Sequence, residues 1–439
     1  MSFVARGKTA GLSTLRSLPL AEENAPVQMT MQARTSNRET SLAAVAVVWL
    51  AIRLLQRFNL MEVIPEEDGM NRRLILQMVS VVLLSCGWAK AQNITTFEAP
   101  GAGTAAGQGT FAEGITASAK IFGYYLDSTG VAHGFLRSKH GHVLTFDAPG
   151  AGTTRGQGTF AFSLNPLGLL VGYTLDSSGV MHGFERTPDG DFSTIDAPGA
   201  GTSAGEGTFS YDINPEGTVA GFFFDSTMVA HAYLRDDDGN FTIFEAAGAG
   251  TSAGEGTGTA SIIGLNATGT LVGAYIDSGN ALHGYVRDRN GNITTIDAPG
   301  AGTGPMQGTD TAGVNPQGVI PGFSFDSAGV AHGFIRGTDG TFTTVNISGA
   351  GTAAGQGTFI QGINPSSEVT RDYVDSSGVS HGFVRRRDGD VKRFDAPGAG
   401  TAASEGTFPL TNNPSGAVTG SLVDASGVAH GFVRAGHDE

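Results

Sequence analysis

The chain has 439 residues, with 26 basic and 41 acidic side chains and a formal net charge of −15. This length allows two or three average domains or one large all-β domain. The part after residue 91 holds 16 basic and 34 acidic side chains, which excludes nucleic acid and anionic lipid as partners and suits cations, basic proteins or neutral sugars. The 67 glycines recur at fixed places, which argues against a disordered low-complexity chain.

Residues 70–91 have the three parts of a secretory signal peptide in order. Residues 72–73 are both Arg, residues 74–84 are an apolar run too short to span a bilayer, and residues 89–91 form a small-x-small cleavage site. A signal peptide belongs at an N-terminus. We therefore predict that residues 1–69 are an upstream extension, which is either unstructured or the product of a wrongly assigned start codon, with Met70 as the real start. We therefore expect a secreted, extracellular or cell-surface protein that begins at Gln92.

The same segment has an alternative interpretation. Residues 83–86, Leu-Leu-Ser-Cys, resemble a bacterial lipobox, which would attach a lipid anchor at Cys86 and give a lipoprotein or a periplasmic protein. The apolar stretch 41–52 ends early at Arg53, and we expect no membrane span in the mature form. Cys86 is the only cysteine, so an intramolecular disulfide is excluded.

An internal repeat covers the rest of the chain, residues 92–439. The Thr that ends the PGAGT phrase recurs at spacings of 49, 49, 49, 52, 49 and 49 residues, and the His of the HGF phrase follows the same spacings. Residues 153–201 show the unit: 158–165, 169–176, 180–186 and 191–196 are short, rich in aromatic and β-branched residues, and bounded by Gly, Pro, Asn or Asp. These patterns predict four strands joined by tight turns.

The first copy of the repeat is incomplete, because it begins with the last strand of the unit. The phrase NITTFE at 93–98 lacks the first part of the unit, and the chain ends with that missing part near 406–434. A β-propeller must close without an exposed sheet edge, so complementary ends predict a strand shared between the two termini. We predict an all-β, seven-bladed β-propeller of four-stranded antiparallel blades, closed by N- and C-terminal strands in one blade. An open solenoid is the alternative, although solenoids favour polar capping repeats.

Each copy carries an Asp six residues before the HGF His and an Arg four residues after it. The copies resemble the HAF-type bacterial extracellular repeat, named for its His-Ala-Phe phrase. The resemblance implies a secreted bacterial protein with a propeller-like fold and no particular reaction. We interpret the His and Arg as structural, because seven equivalent copies do not converge on one catalytic centre: His133, His182, His231, His283, His332, His381, His430, Arg137, Arg186, Arg235, Arg287, Arg336, Arg385 and Arg434.

The turns that hold the repeated Asp and the glycine-rich APGAGT loops fall on one face, because connections alternate ends in a meander. This acidic face is a candidate Ca²⁺ site, since Ca²⁺ favours clustered oxygen ligands. The alternative is a solvated face of hydrogen-bonded turns, with no cofactor at all. The candidate ligands are Asp127, Asp176, Asp225, Asp277, Asp326, Asp375 and Asp424.

These observations predict a binding module for an extracellular glycan or protein. A propeller-type glycosidase or lyase is an alternative and needs convergent acids; the acids that depart from the repeat beside its first strand are Glu113, Asp212 and Asp310. A structural cell-surface repeat protein is a third possibility. Residues that depart from the repeat, such as Asn346 and the pair Arg371-Asp372, are further candidates for a specific site.

Overall fold

The computed structural model describes residues 93–259 and 264–437, and every regular element in these ranges is a β-strand. The predicted signal peptide, the extension before it and Cys86 lie outside the described residues, as do residues 260–263, within the copy whose spacing is 52 residues. Among the described residues, no helix is long and apolar enough to cross a membrane.

The strands lie between the turns that Gly, Pro, Asn and Asp predict in the sequence. The opening strand is β1 (Ile94–Phe97). The first repeat has β2 (Gly109–Ile115), β3 (Ile121–Leu126), β4 (Ala132–Arg137) and β5 (Val143–Phe146). The second has β6 (Gly158–Leu164), β7 (Leu170–Leu175), β8 (Met181–Arg186) and β9 (Phe192–Ile195). The third has β10 (Gly207–Ile213), β11 (Val219–Phe224), β12 (Ala230–Arg235) and β13 (Phe241–Phe244).

The later repeats continue the same order. The fourth has β14 (Gly256–Thr259), β15 (Leu271–Ile276), β16 (Leu282–Arg287) and β17 (Ile293–Ile296). The fifth has β18 (Gly308–Thr311), β19 (Ile320–Phe325), β20 (Ala331–Arg336) and β21 (Phe342–Val345). The sixth has β22 (Gly357–Thr358), β23 (Gly362–Ile363), β24 (Val369–Val374), β25 (Ser380–Arg385) and β26 (Val391–Phe394). The seventh has β27 (Gly406–Asn412), β28 (Val418–Val423) and β29 (Ala429–Arg434). The four strands predicted in residues 153–201 are confirmed as β6 to β9.

Strands pair antiparallel in chain order within each repeat, as β2 with β3, β3 with β4 and β4 with β5. The two ends of the domain meet, because β1 pairs antiparallel with β29 from Ile94↔Arg434 to Phe97↔Gly431. Successive repeats are joined by one parallel residue pair, of which Ala132↔Gly158 is an example. The last such pair, Gly109↔Ala429, joins the seventh repeat to the first.

The predicted seven-bladed propeller of four-stranded blades is wrong. The parallel pairs connect every repeat to the next, so the 29 strands form one closed sheet rather than seven separate blades. The glycine that opens each first strand makes this possible: Gly109 has φ +115°, and a Cβ there would overlap the carbonyl oxygen of Ala429. The open solenoid is also wrong, since the ends pair. The coarser expectation, an all-β tandem-repeat domain, is confirmed.

The core is divided among the junctions between repeats. One cluster combines Val171 and Ile195 of the second repeat with Ile213, Val219 and Phe223 of the third. Each repeat buries the apolar face of its neighbour, because a single short meander cannot cover both of its own faces. This arrangement holds all the repeats in one orientation and therefore places their equivalent loops on the same face.

The sixth repeat departs from this pattern. Its first strand is split into β22 and β23, whereas the first repeat has a single seven-residue strand at that place. Arg371 stands where the other repeats have Gly, and a Cβ at the equivalent Gly123 would overlap the carbonyl oxygen of Phe111 on the neighbouring strand. The two strands still exchange backbone hydrogen bonds on either side of Arg371, from Phe359 N to Asp372 O at 3.0 Å and from Gln361 N to Thr370 O at 3.2 Å. The guanidinium of Arg371 pairs with the buried Asp372 at 3.2 Å.

Candidate functional site

A histidine held between two carboxylates recurs at the face that carries the APGAGT loops. His133 lies on β4, where its Nδ1 is 2.7 Å from Asp147 Oδ1 and its Nε2 is 3.6 Å from Asp127 Oδ2. Asp127 opens the turn between β3 and β4, and Asp147 follows β5. The turns and loops that carry the two acids therefore share one face, as strand parity predicted.

The same arrangement is found in the other six repeats, with changes only in the acid after the outer strand. His182, His283 and His381 contact Asp at both ring nitrogens. His231 and His430 have Glu245 and Glu98 at Nδ1, and their Nε2 atoms approach the turn Asp at 3.3 and 3.2 Å. In the fifth repeat an amide replaces this acid, since His332 Nδ1 lies 3.2 Å from Asn346 Oδ1.

Each turn aspartate accepts hydrogen bonds from backbone N–H groups of its own turn. Asp127 Oδ1 accepts hydrogen bonds from the N–H groups of Thr129 at 2.8 Å and Val131 at 3.0 Å. Burial raises the pKa of Asp127, but these hydrogen bonds and those from the Thr129 hydroxyl and His133 outweigh it and lower the pKa to about 2. The equivalent carboxylates also have lowered pKa values: Asp176, Asp225, Asp277, Asp326, Asp375 and Asp424.

No group of three or more His, Cys, Asp or Glu side chains within 93–259 and 264–437 is arranged to hold a metal ion. The seven turn aspartates are spread one per repeat, and each supplies an oxygen to backbone N–H donors of its own turn. A Ca²⁺ ion needs several oxygen ligands at one point. The Ca²⁺ site therefore stays a prediction from the sequence.

Four of the seven repeated arginines lie over aromatic rings. The guanidinium carbon of Arg137 lies 4.6 Å from the ring centre of Phe97, and that of Arg287 lies 4.8 Å from the ring centre of Phe244. Arg186 and Arg434 lie over the rings of Phe146 and Phe394 in the same way. Arg235 instead approaches a carboxylate, since its Nη1 is 3.9 Å from Glu185 Oε2.

The three acids considered for catalysis do not form one cluster. Asp212 is 3 % exposed, and its oxygens accept hydrogen bonds from Ser163 Oγ and from the N–H groups of Ile213 and Leu265. Burial raises its pKa to about 7. These three donors occupy both carboxylate oxygens, so Asp212 ties the second, third and fourth repeats together at a strand irregularity.

Glu113 and Asp310 lie elsewhere, on the first strands of their repeats and on the face that also carries Phe111. Burial raises the pKa of Glu113 to about 7 and that of Asp310 to about 6, and the charge of Arg371 lowers both. Both side chains keep partial solvent contact although protein atoms surround them. Neither has an acidic equivalent in the other repeats. The Asp310 position is Phe in five of them and Gly258 in the fourth, and the Glu113 position is aromatic or aliphatic except for Gln361 in the sixth.

Two cavities open beside the histidines, in the second and fifth repeats. The cavity in the second repeat has a volume of about 360 Å³, and its lining includes Pro149, Thr174, His182, Phe192, Thr194 and Asp196. The cavity in the fifth repeat has a volume of about 230 Å³, and its lining includes Pro299, Ser324, Asp326, His332, Phe334 and Thr344. Each cavity therefore combines an imidazole, a carboxylate, hydroxyl groups and an aromatic ring.

The sequence reasoning overlooked two features of this site. A buried Thr in each repeat accepts a hydrogen bond from the loop before it, as Thr110 Oγ1 does from Ala99 N at 2.9 Å. The signal was present, because this Thr follows the first-strand Gly in all seven copies. Thr174 and Ser324 were also overlooked, although aromatic residues occupy their position in most of the other copies.

Comparison with known proteins leaves the family open. No known family profile matches the chain, and no curated protein matches it significantly, so the resemblance to the HAF-type repeat stays a prediction. Solved structures that align with it include the BP39L lectin from Burkholderia pseudomallei, at 13 % identity over 74 % of this chain and 96 % of that one, with a TM-score of 0.49. A mutant puromycin hydrolase complexed with PGG aligns at 14 % identity, over 73 % of this chain and 52 % of that one, with a TM-score of 0.47.

A mutant Aleuria aurantia lectin in complex with Fucα1-6GlcNAc aligns at 12 % identity, over 71 % of this chain and 99 % of that one, with a TM-score of 0.37. The chain therefore spans nearly the full length of the two lectins and about half the length of the hydrolase. All three TM-scores lie below 0.5, so these likenesses assign no function to this chain.

Proposed function

We propose that the repeat domain is a binding module for an extracellular glycan. The observation that carries the proposal is the pair of cavities beside His182 and His332, which have similar linings in two different repeats. Small-molecule sites usually measure roughly 300–1,000 Å³, so cavities of this size suit one small ring rather than an extended ligand. A single sugar residue at the end of a glycan is a ligand of that kind.

The lining chemistry suits a neutral sugar. Asp196 and His182 offer hydrogen-bonding atoms to sugar hydroxyls, and the exposed Thr194 supplies a hydroxyl of its own. The half-buried Phe192, which packs on the buried Phe184, provides apolar ring surface for the C–H groups of a sugar. Both tryptophans of the chain precede residue 92, so these phenylalanines take the place that Trp would otherwise fill.

The charge of the domain favours the same class of ligand. The residues after 91 hold 34 acidic and 16 basic side chains, and Asp176 and Asp196 flank the imidazole of the second repeat. Anionic sugars would be repelled by this face, whereas neutral sugars would not be. A glycan ligand also agrees with secretion, which rests on the signal peptide predicted at 70–91.

A glycan array tests the proposal. The full chain, produced by secretion, would be applied to neutral, amino and acidic glycans in parallel, with Ca²⁺ or with EDTA. We expect retention on one or more neutral glycans, no cleavage, and little retention on the acidic ones. Retention only on acidic glycans, or on none, would contradict the proposal and favour a protein partner or a structural surface role. Cleavage would favour the glycosidase or lyase alternative and direct attention to Glu113 and Asp310.

A further inference from the structure

One position in each repeat decides whether the histidine is covered. This position, which we call the floor position, lies two residues before the turn Asp, and its occupants are Tyr125, Thr174, Phe223, Tyr275, Ser324, Tyr373 and Leu422. The aromatic occupants stack on the His of the same repeat. Ring centres are separated by 4.9 Å for Tyr125 and His133 and by 5.0 Å for Phe223 and His231. Tyr275 and Tyr373 stack on their histidines at 4.9 and 5.1 Å.

The aromatic occupants also reach the loop that enters the repeat. A Cβ placed on Gly101 would lie 3.3 Å from the hydroxyl of Tyr125, so the ring fills the space between the histidine and this loop. At Gly150 and Gly300, the equivalent loop glycines of the second and fifth repeats, a Cβ would meet nothing within 4 Å. The space that an aromatic ring fills in the first repeat is therefore empty in these two, and also beside Gly398 of the seventh repeat, whose floor residue is Leu422.

The two cavities occur in these same two repeats. Thr174 lies at the floor of one and Ser324 at the floor of the other. The histidines above them are also the most exposed of the seven, with 36 % of the side chain exposed for His182 and 35 % for His332, against 22–28 % in the other repeats. Cavity volume and histidine exposure thus distinguish the second and fifth repeats, whereas the space beside the loop glycine is also empty in the seventh repeat, where the histidine is 28 % exposed.

We infer that the floor residue is the specificity-determining residue of this protein, and that Thr174 and Ser324 open two equivalent pockets for a terminal neutral monosaccharide. An aromatic floor residue stacks on the imidazole in the place that the sugar ring would occupy, so it closes the pocket. This inference rests on the proposed function and adds which repeats bind, how many sites act together and which residue decides it. Two sites on one rigid domain raise the apparent affinity for a multivalent glycan without any new contact.

The pocket of the second repeat can be rebuilt in the first repeat by a substitution at the floor position. Its loop and strands carry Pro100, Thr145 and Asp147, which correspond to Pro149, Thr194 and Asp196 around the open cavity of the second repeat. The differences are Tyr125 in place of Thr174 at the floor and Val143 in place of Phe192 on the outer strand. Tyr125→Thr should therefore open a pocket with the same polar groups as the one in the second repeat.

The test uses the neutral glycan that retains the full chain most strongly on the array. We expect Thr174→Tyr and Ser324→Tyr each to lower retention, and the double variant to lose at least about tenfold, because both sites are then filled. Tyr275→Phe is the control, because it keeps an aromatic ring on His283 in a closed repeat outside the two proposed sites, and it should leave retention unchanged. Adding Tyr125→Thr to the double variant should restore part of the retention. Thermal melting of every variant confirms that the fold is intact.

The outcomes separate this inference from the proposed function. Unchanged retention of the double variant on a glycan that binds the original chain would overturn the inference and leave glycan binding in place. Loss in the double variant without recovery on Tyr125→Thr would overturn the claim that the floor residue alone decides. Absence of retention of the original chain on every glycan would overturn both.

Discussion

Gly109 and Ala429 form the parallel pair that joins the first repeat to the last, and a Cβ on Gly109 would overlap the carbonyl oxygen of Ala429. The backbone at Gly109 also has φ +115°, which L side chains rarely adopt. Closure of the sheet thus depends on the smallest side chain at this junction. The other six junctions repeat the arrangement, as at Gly158 and Ala132.

Gly109→Ala should therefore weaken closure. We expect the free energy of unfolding to fall by about 2–4 kcal/mol, because the substitution adds both backbone strain and overlap with a carbonyl group. Urea unfolding followed by circular dichroism would measure it. Gly258→Ala is the matched control, since Gly258 lies within β14 and a Cβ there would meet its nearest neighbour at 3.6 Å. Equal effects of the two substitutions would contradict the role given to Gly109.

The Arg371–Asp372 pair of the sixth repeat should behave as a buried ion pair. Asp372 is 5 % exposed, and burial raises its pKa while the neighbouring Arg371 lowers it. Arg371→Ala should cost about 3–5 kcal/mol of unfolding free energy, because it leaves a buried charge without its partner. The double change Arg371→Gly with Asp372→Ser copies the Gly420-Ser421 pair of the seventh repeat and should recover most of the loss. A double variant that is as unstable as the single one would count against this account.

Asp212 should prove a structural residue. Asp212→Ala removes the acceptor for Ser163 Oγ and for the N–H groups of Ile213 and Leu265. Buried donors left without an acceptor cost about 1–3 kcal/mol each, so we expect a loss of at least about 3 kcal/mol and a lower melting temperature. Asp238→Ala, at an exposed turn position, is the control and should change the melting temperature little. Intact stability of Asp212→Ala together with loss of a glycan-cleaving activity would instead favour the catalytic alternative.

The turn aspartates predict sensitivity to acid. Burial raises the pKa of Asp225, but hydrogen bonds from Val229, Thr227 and His231 outweigh it and lower the pKa from 3.8 to about 2. A pKa that is lower in the folded state means that the carboxylate stabilises the fold above pH 4. This stabilisation is lost as the pH falls towards 2.

Asp225→Asn isolates this contribution. An Asn can keep the turn, since Asn165 Oδ1 accepts the N–H of Leu169 at 3.0 Å in another turn of the repeat. The variant should be less stable by about 1 kcal/mol near pH 7, after allowing for solvent screening, and the difference should shrink as the pH approaches 2. Urea unfolding at pH 7, 4 and 2.5 would measure it. A difference that does not change with pH would show that the charge of Asp225 contributes nothing.

The sequence by itself determined the period, the strands and the turns of this protein. Gly, Pro, Asn and Asp act locally, so residues 158–164 and 170–175 could be identified as strands without knowing their neighbours. The split unit likewise predicted that residues 94–97 would pair with the end of the chain. These features follow from residues that are adjacent in the sequence or repeated along it.

Only the tertiary structure decided how the repeats join and where the cavities lie. The parallel contact between Gly109 and Ala429 depends on the approach of two distant backbones, which no local pattern encodes. The cavities depend on the space between a loop, a histidine and one floor residue, and that space exists only after packing. Thr174 and Ser324 are ordinary strand residues in the sequence; they become distinctive because Tyr125 fills the same space in another repeat.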